Sequence, residues 1–276
     1  MDHFLVHAAI RAFLAEDLGA GDFTSTAIFD PGQQARAEFC VQVPLIAAGM
    51  MTVAAQVFLQ VNPALQYTAV ADGLAMNPGE IALTVEGPIL DLLKAERVAL
   101  NLTQRLCGIA TLTAKFVEQV RPLPVKIADT RKTTPGLRGF EKYAVRVGGG
   151  HNHRFSLSDG IMIKDNHLAA AGSIHQAVTL VRATCPHTIK IEVEAETLTQ
   201  VQECLASGVE IILLDNMDCD TMRQAVLMAN GRAIMEASGG ITLHNVRQVA
   251  ETGVDIISIG ALTHSAPACD ISMRIV

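Results

Sequence analysis

Residues 189–216 read IKIEVEAETLTQVQECLASGVEIILLDN. A short apolar run at 189–193 passes through a helical stretch into a second run at 211–214. The first stops on Glu194 and the second on Asp215 and Asn216. The same rhythm extends to both sides, with runs at 125–128, 160–163, 233–235 and 256–259, and the last five start about 22 to 29 residues apart. That interval suits one strand, one helix and their loops. Six such units predict a parallel sheet, closed or nearly closed into an α/β barrel. An open doubly wound sheet is the rival, but no G-x-G-x-x-G follows a strand to support its dinucleotide-binding form.

The runs end on Asp129, Thr130, Arg131 and Lys132; Lys164, Asp165 and Asn166; Glu194; Asp215 and Asn216; Glu236, Ser238, Gly239 and Gly240; and Gly260. In a parallel barrel these ends converge on one face, where barrel enzymes keep their sites. The window 129–167, DTRKTTPGLRGFEKYAVRVGGGHNHRFSLSDGIMIKDNH, holds seven of the chain's 21 Lys and Arg, while the whole chain is −7. Positive charge gathered beside turn glycines in an acidic protein points to an anionic ligand. Arg131, Lys132, His153, Arg154 and Lys164 form the cationic set; an arginine fork suits carboxylate or phosphate, and lysine adds a point charge. Glu194 and Asp215 offer hard oxygens for Mg²⁺ or for ribose hydroxyls. Ser238-Gly239-Gly240 reads either as a phosphate cradle or as a plain turn.

Upstream, helical periodicity covers residues 4–18, a turn covers 21–26, and strands are predicted at 35–43, 65–70 and 81–86. A helix is predicted at 49–61 and another over 89–120, bent or broken at Gly108. Strands followed by helices make this an α+β region. Spacing alone leaves Arg97 and Arg105 as surface charges on the long helix.

The 276 residues are 50% hydrophobic, with mean hydropathy +0.31. That is enough for a substantial core and suggests burial at an oligomer interface. The acidic balance argues against nucleic acid. No apolar run is long enough to span a membrane, and the N-terminus lacks the basic start and cleavage site of a signal peptide. The six cysteines are scattered without a C-x-x-C pair, which predicts free thiols in a reducing cytoplasm. There is no G-x-S-x-G elbow, H-E-x-x-H or Walker loop.

D-T-R-K-T-T-P-G-L-R, E-K-Y-A-V-R-V-G-G-G, N-H-R and I-K-D-N-H resemble the motifs of quinolinate phosphoribosyltransferases, the decarboxylating enzymes of NAD biosynthesis. The likeness continues in order through E-R-V-A-L-N-L-T-Q-R-L-C-G-I-A-T, I-E-V-E, L-L-D-N, E-A-S-G-G-I and S-I-G-A-L-T-H-S-A-P. It implies an N-terminal α/β sandwich domain over residues 1–110 and an incomplete parallel α/β barrel over 111–264, with the tail from about 265 to 276 returning to the first domain. It implies that Arg131, His153, Arg154 and Lys164 bind quinolinate. Arg105 would be inserted from the neighbouring subunit of a homodimer. Lys132, Lys164, Glu194 and Asp215 match the catalytic positions that hold phosphoribosyl pyrophosphate and Mg²⁺, and Ser238, Gly239, Gly240 and Gly260 match the 5′-phosphate end. Two positions depart from the common pattern, Val147 for a frequent Cys and Cys107 for a frequent Ser; neither carries charge. The ModD-type proteins share the fold and act on another base, but lose much of the T-T-P-G-L-R and K-D-N-H context that is intact here. A non-catalytic anion-binding barrel is the remaining alternative.

Overall fold

A computed structural model describes residues 3–276 and divides into two compact units. One runs to Ala114 and also takes Thr134–Gly149 and Leu262–Val276; the other is Lys115–Thr133 with Gly150–Ala261. The division therefore falls inside the long helix, and it assigns the helix Arg138–Val147 to the first unit, whereas the sequence boundary at 110 put that segment with the barrel.

In the first unit, strands β1 (Gln34–Val41), β2 (Leu45–Ile46), β3 (Gln66–Ala69), β4 (Ala75–Met76) and β5 (Ile81–Pro88) precede the helix Ile89–Val120. The main sheet is antiparallel. β1 pairs with β5, β5 with β3, and the other edge of β1 with the C-terminal strand Ile271–Ile275. Phe39 and Phe58 meet edge to face in its core, with centroids 5.9 Å apart. The turn expected at 21–26 is a helix start, because Asp22 accepts the Ser25 N–H at 2.9 Å and caps Phe23–Ile28.

The helix expected to break at Gly108 runs on for 32 residues. A Cβ at Gly108 would collide with the carbonyl of Pro267. The glycine admits the returning tail rather than ending the helix. The tail is fastened there: the Cys269 N–H donates to the Gln104 carbonyl at 2.9 Å, and Gln104 Nε2 donates to the Ile271 carbonyl at 2.8 Å.

In the second unit, β6 (Lys126–Ala128), β7 (Ile161–Ile163), β8 (Ile191–Ala195), β9 (Ile211–Asp215), β10 (Ile234–Ser238) and β11 (Ile256–Ser258) form one parallel sheet. The C-terminal strand of the first unit is then β12. The order is β6-β11-β10-β9-β8-β7, with no β6–β7 ladder among the described residues, so the barrel is incomplete, as the family resemblance implies. Helices start where local chemistry allows. Ser173, Thr197 and Asp218 cap Ile174–Thr184, Leu198–Ala206 and Cys219–Ala229 by accepting N–H groups three residues on.

The strands are not uniformly apolar. Ile191, Val193 and Ala195 in β8 and Met235 and Ala237 in β10 are buried and alternate with acids and a hydroxyl, while Ile212 and Leu214 in β9 flank Leu213 before Asp215. Register aligns Glu194 with Leu213, Leu213 with Glu236, and Asp215 with Ser238. Glu236 aligns with Ile256, and Ser258 with Ala128. Aligned residues share a face and side chains alternate, so Glu192, Glu194, Asp215, Glu236, Ser238 and Ser258 all line one side of the sheet. All six cysteines are free thiols, and no described helix is long and apolar enough to cross a membrane.

Candidate active site

The polar face of the barrel sheet has a buried level and an open one. Glu192 and Glu236 are 4% and 2% exposed, while Glu194, Asp215 and Ser238 are half-buried. Of the predicted cationic residues of this unit, Lys164 meets the open level at Glu194, and His153 reaches the buried one.

Beyond β6 the chain turns at Thr130–Thr133. Thr130 Oγ1 accepts the Lys132 N–H at 3.0 Å, and the Thr133 N–H returns to the Arg131 carbonyl at 2.9 Å. The glycine-rich loop joins here through a parallel bridge between Ala128 and His151. Asp129 fixes the junction. It is fully buried, accepts Asn152 Nδ2 at 2.6 Å and accepts the His153 N–H at 2.9 Å. An acid within a cationic window was the signal for this anchor, and sequence reasoning gave it no role.

Arg154 Nη1 donates to the Gly160 carbonyl at 2.7 Å. Burial lowers the affinity of its guanidinium for a proton, and Arg131 lowers it further, against Glu192, Glu194 and Asp159. The two cations therefore repel one another. Arg131 Nε is also buried without a hydrogen-bond partner. An orphaned buried donor costs about 1–3 kcal/mol, and an anion received between the two arginines would remove that cost and the repulsion together.

Lys164 begins the helix Asp165–Ala171 and ion-pairs with Glu194. Asp215 Oδ2 accepts Asn216 Nδ2 at 3.1 Å. Glu194 and Asp215 together offer the hard carboxylate oxygens that Mg²⁺ takes beside phosphate groups, so the donor set fits that ion. Gly239 has φ 91°, and a Cβ there would strike the side chain of Asn216. Its neighbour Gly240 has φ 61°, and Asn245 Nδ2 donates to the Gly240 carbonyl at 3.0 Å. Both glycines are required by the backbone, which leaves the loop beyond β10 small and open. Gly260 lies two residues beyond β11.

Sequence reasoning missed Glu192. His153 Nε2 lies 3.0 Å from Glu192 Oε2 and 3.7 Å from Glu236 Oε1, and Nδ1 accepts the Arg154 N–H at 2.8 Å. Burial, and then Glu192, push the Glu236 carboxyl up to about 7, with His153 pulling the other way. The alternation I-E-V-E in β8 was the available signal, since an acid there must face inward.

Arg105 belongs to the first unit. Its Nε donates to Glu141 Oε1 at 2.8 Å, and Nη2 donates to Thr134 Oγ1 at 2.8 Å and to the Thr263 carbonyl at 3.0 Å. Glu141 is fully buried. Arg105 is therefore a built ion pair, not the loose surface charge that spacing suggests.

Known proteins fit this geometry. The model of the quinolinate phosphoribosyl transferase C-terminal domain matches residues 109–274, and that of the N-terminal domain matches 22–107. The chain is 45% identical to a probable nicotinate-nucleotide pyrophosphorylase (carboxylating) of Bacillus subtilis, covering 100% of this chain and 95% of that protein. It is 43% identical to the nicotinate-nucleotide pyrophosphorylase (carboxylating) of Mycobacterium leprae, over 96% and 95%. The crystal structure of NadC from Streptococcus pyogenes superposes with a TM-score of 0.96 at 41% identity, covering 100% of this chain and 98% of that one. Full-length matches to both domain families and to these relatives make the chain a member of the quinolinate phosphoribosyltransferase family.

Proposed function

We propose that the chain transfers the phosphoribosyl group of phosphoribosyl pyrophosphate to quinolinate with decarboxylation, giving nicotinate mononucleotide, pyrophosphate and CO₂. The observation that carries this reading is Arg131 Nε, buried and unpartnered, on a guanidinium that repels that of Arg154. A planar dicarboxylate answers it better than a single point anion, because each fork takes one carboxylate.

Arg131, Arg154 and Lys164 hold the two carboxylates, with His153 in the same wall and Arg105 supplied by the second copy of a homodimer. Lys132 and Lys164 neutralise phosphate charge, and Ser238, Gly239, Gly240 and Gly260 receive the 5′-phosphate. Glu194 and Asp215 would hold Mg²⁺, which supplies charge neutralisation to the leaving pyrophosphate. The pyridine nitrogen forms the bond to ribose C1′ as the C1′–O bond breaks, and pyrophosphate departs with that electron pair. The ring is then N⁺. The C2–carboxylate bond breaks to release CO₂, its electrons stay on C2 beside N⁺, and a proton is taken up there. The arginine-held 3-carboxylate survives. No covalent nucleophile is needed; fixed charges and positioning do the work. The six free thiols suit a reducing compartment such as the cytoplasm.

The test is incubation with phosphoribosyl pyrophosphate, Mg²⁺ and carboxyl-labelled quinolinate. Labelled CO₂ and nicotinate mononucleotide in equal amounts are expected. Product from nicotinate or another base without CO₂ would move the chain to a ModD-like transferase. Quinolinate binding without pyrophosphate release would make it a non-catalytic binder.

A further inference from the structure

His153 lies in the wall of the proposed dicarboxylate site, yet neither ring nitrogen is offered to a substrate. Nδ1 accepts the Arg154 N–H at 2.8 Å. A nitrogen that receives an N–H carries no proton of its own. In the neutral ring the proton must therefore sit on Nε2, and Nε2 points at Glu192 Oε2, 3.0 Å away. The acceptor behind it is fixed, because Glu192 is 4% exposed on the buried level of the sheet. Glu236, 2% exposed, closes the far side at 3.7 Å with an Oε1 that has no hydrogen-bond partner. The His153 N–H is held as well, by the buried Asp129.

The same three side chains, His153, Glu192 and Glu236, form a group compact enough to enclose a metal ion. The tautomer argues against one. Nε2 would have to lose its proton to ligate, Nδ1 would then have to carry it, and Nδ1 already faces the Arg154 N–H.

We propose that His153 is a positioning residue rather than a substrate ligand: as the neutral ring protonated on Nε2, it bridges Glu192 to the Arg154 backbone and so aims the Arg154 guanidinium. Glu192 is the fixed end of that chain. His153 is pinned at its N–H by Asp129 and at its ring by Glu192, so the Arg154 N–H has one place to go. Its guanidinium is then anchored through Nη1 on the Gly160 carbonyl. This deepens the proposed function and rests on it for the identity of the bound anion; the tautomer itself does not.

¹⁵N NMR of the full-length protein labelled on histidine, with His153 signals assigned by their loss in His153→Gln, reads the ring directly. An unprotonated Nδ1 and a protonated Nε2 are expected, unchanged on saturation with quinolinate. A doubly protonated ring, the opposite tautomer, or a change at Nδ1 when quinolinate binds overturns the proposal. Steady-state kinetics gives the second arm. Glu192→Leu removes the acceptor and is expected to raise the quinolinate KM about tenfold, the worth of one well-placed hydrogen bond, with the phosphoribosyl pyrophosphate KM little changed. Glu192→Gln keeps a carbonyl acceptor and is expected to recover most of that loss. Equal loss in both variants, or loss confined to kcat, overturns it. If Glu192→Leu does not fold, the spectrum of the unaltered protein still decides. If the unaltered protein releases no CO₂ from quinolinate, the function fails while the tautomer stands or falls on the free protein's spectrum.

Discussion

Arg131 carries a donor that the chain leaves unused in a buried position, so its substitution should affect binding before it affects folding. Arg131→Ala is expected to raise the quinolinate KM roughly 10- to 100-fold, the worth of about 1.5–3 kcal/mol for a hydrogen bond to a charged group. Arg131→Lys should rescue little, because an ammonium cannot present two parallel donors to a carboxylate. Initial rates at varied quinolinate check both; an unchanged KM in Arg131→Ala would remove Arg131 from the site. Glu236 leads to a prediction on stability. Its carboxyl titrates near 7 in the fold against an ordinary value of 4.5, because it is buried beside Glu192. Between those values the native state holds a proton that the unfolded chain has lost. Stability should therefore fall as pH rises through that window and level off above it. Glu236→Gln, neutral at every pH, should flatten this part of the Tm-against-pH curve; a curve unchanged from that of the unaltered protein would refute the assignment. At this scale the arginines were legible in the sequence because charge in a glycine-rich window stands out. Glu192 was not, because an acid inside an apolar run looks like an exposed strand residue until the sheet's inner face is known.

The strands of the barrel were legible as elements because each must be apolar toward its covering helices and ends where the mouth begins. Their alternation, seen in I-E-V-E, also encoded the inner face. What the sequence could not supply was the reason for particular glycines. Gly108 reads as a helix breaker by propensity, and only the returning tail shows that its missing side chain makes room for Pro267. Gly108→Ala should therefore destabilise by about 1–3 kcal/mol through overpacking, although alanine is the better helix former. Denaturant unfolding measures this, and a stabilised variant would show that the tail gives way freely. Gly239→Ala combines positive φ with a collision against Asn216, so its damage should fall mainly on phosphoribosyl pyrophosphate, whose KM should rise more than that of quinolinate.

For the whole molecule, the order of motifs along the chain made the two-domain plan readable, but the path of the chain between units was not. Thr134–Gly149 joins the first unit although its neighbours in sequence belong to the second, and composition cannot register such a crossing. Arg105 shows the same limit. Helical spacing gives a surface charge, whereas the fold ties it to the buried Glu141, to Thr134 and to Thr263. Those ties complicate a simple deletion, because Arg105→Ala strands a buried carboxylate and should lower stability as well as activity. Mixing subunits separates the two effects. If each site takes Arg105 from the neighbouring copy, Arg105→Ala and Lys132→Ala are inactive alone but complementary together. In a mixed dimer, the body that lacks Arg105 has an intact Lys132 and receives Arg105 from its partner. Random reassortment makes half the dimers mixed, each with one complete site, so about a quarter of the unaltered activity should return. Co-expression with two different affinity tags, followed by purification through both, should raise the recovery to about half. Activity that stays at the level of the separate variants, in a preparation shown to contain mixed dimers, would place Arg105 in its own subunit's framework and out of the neighbour's site.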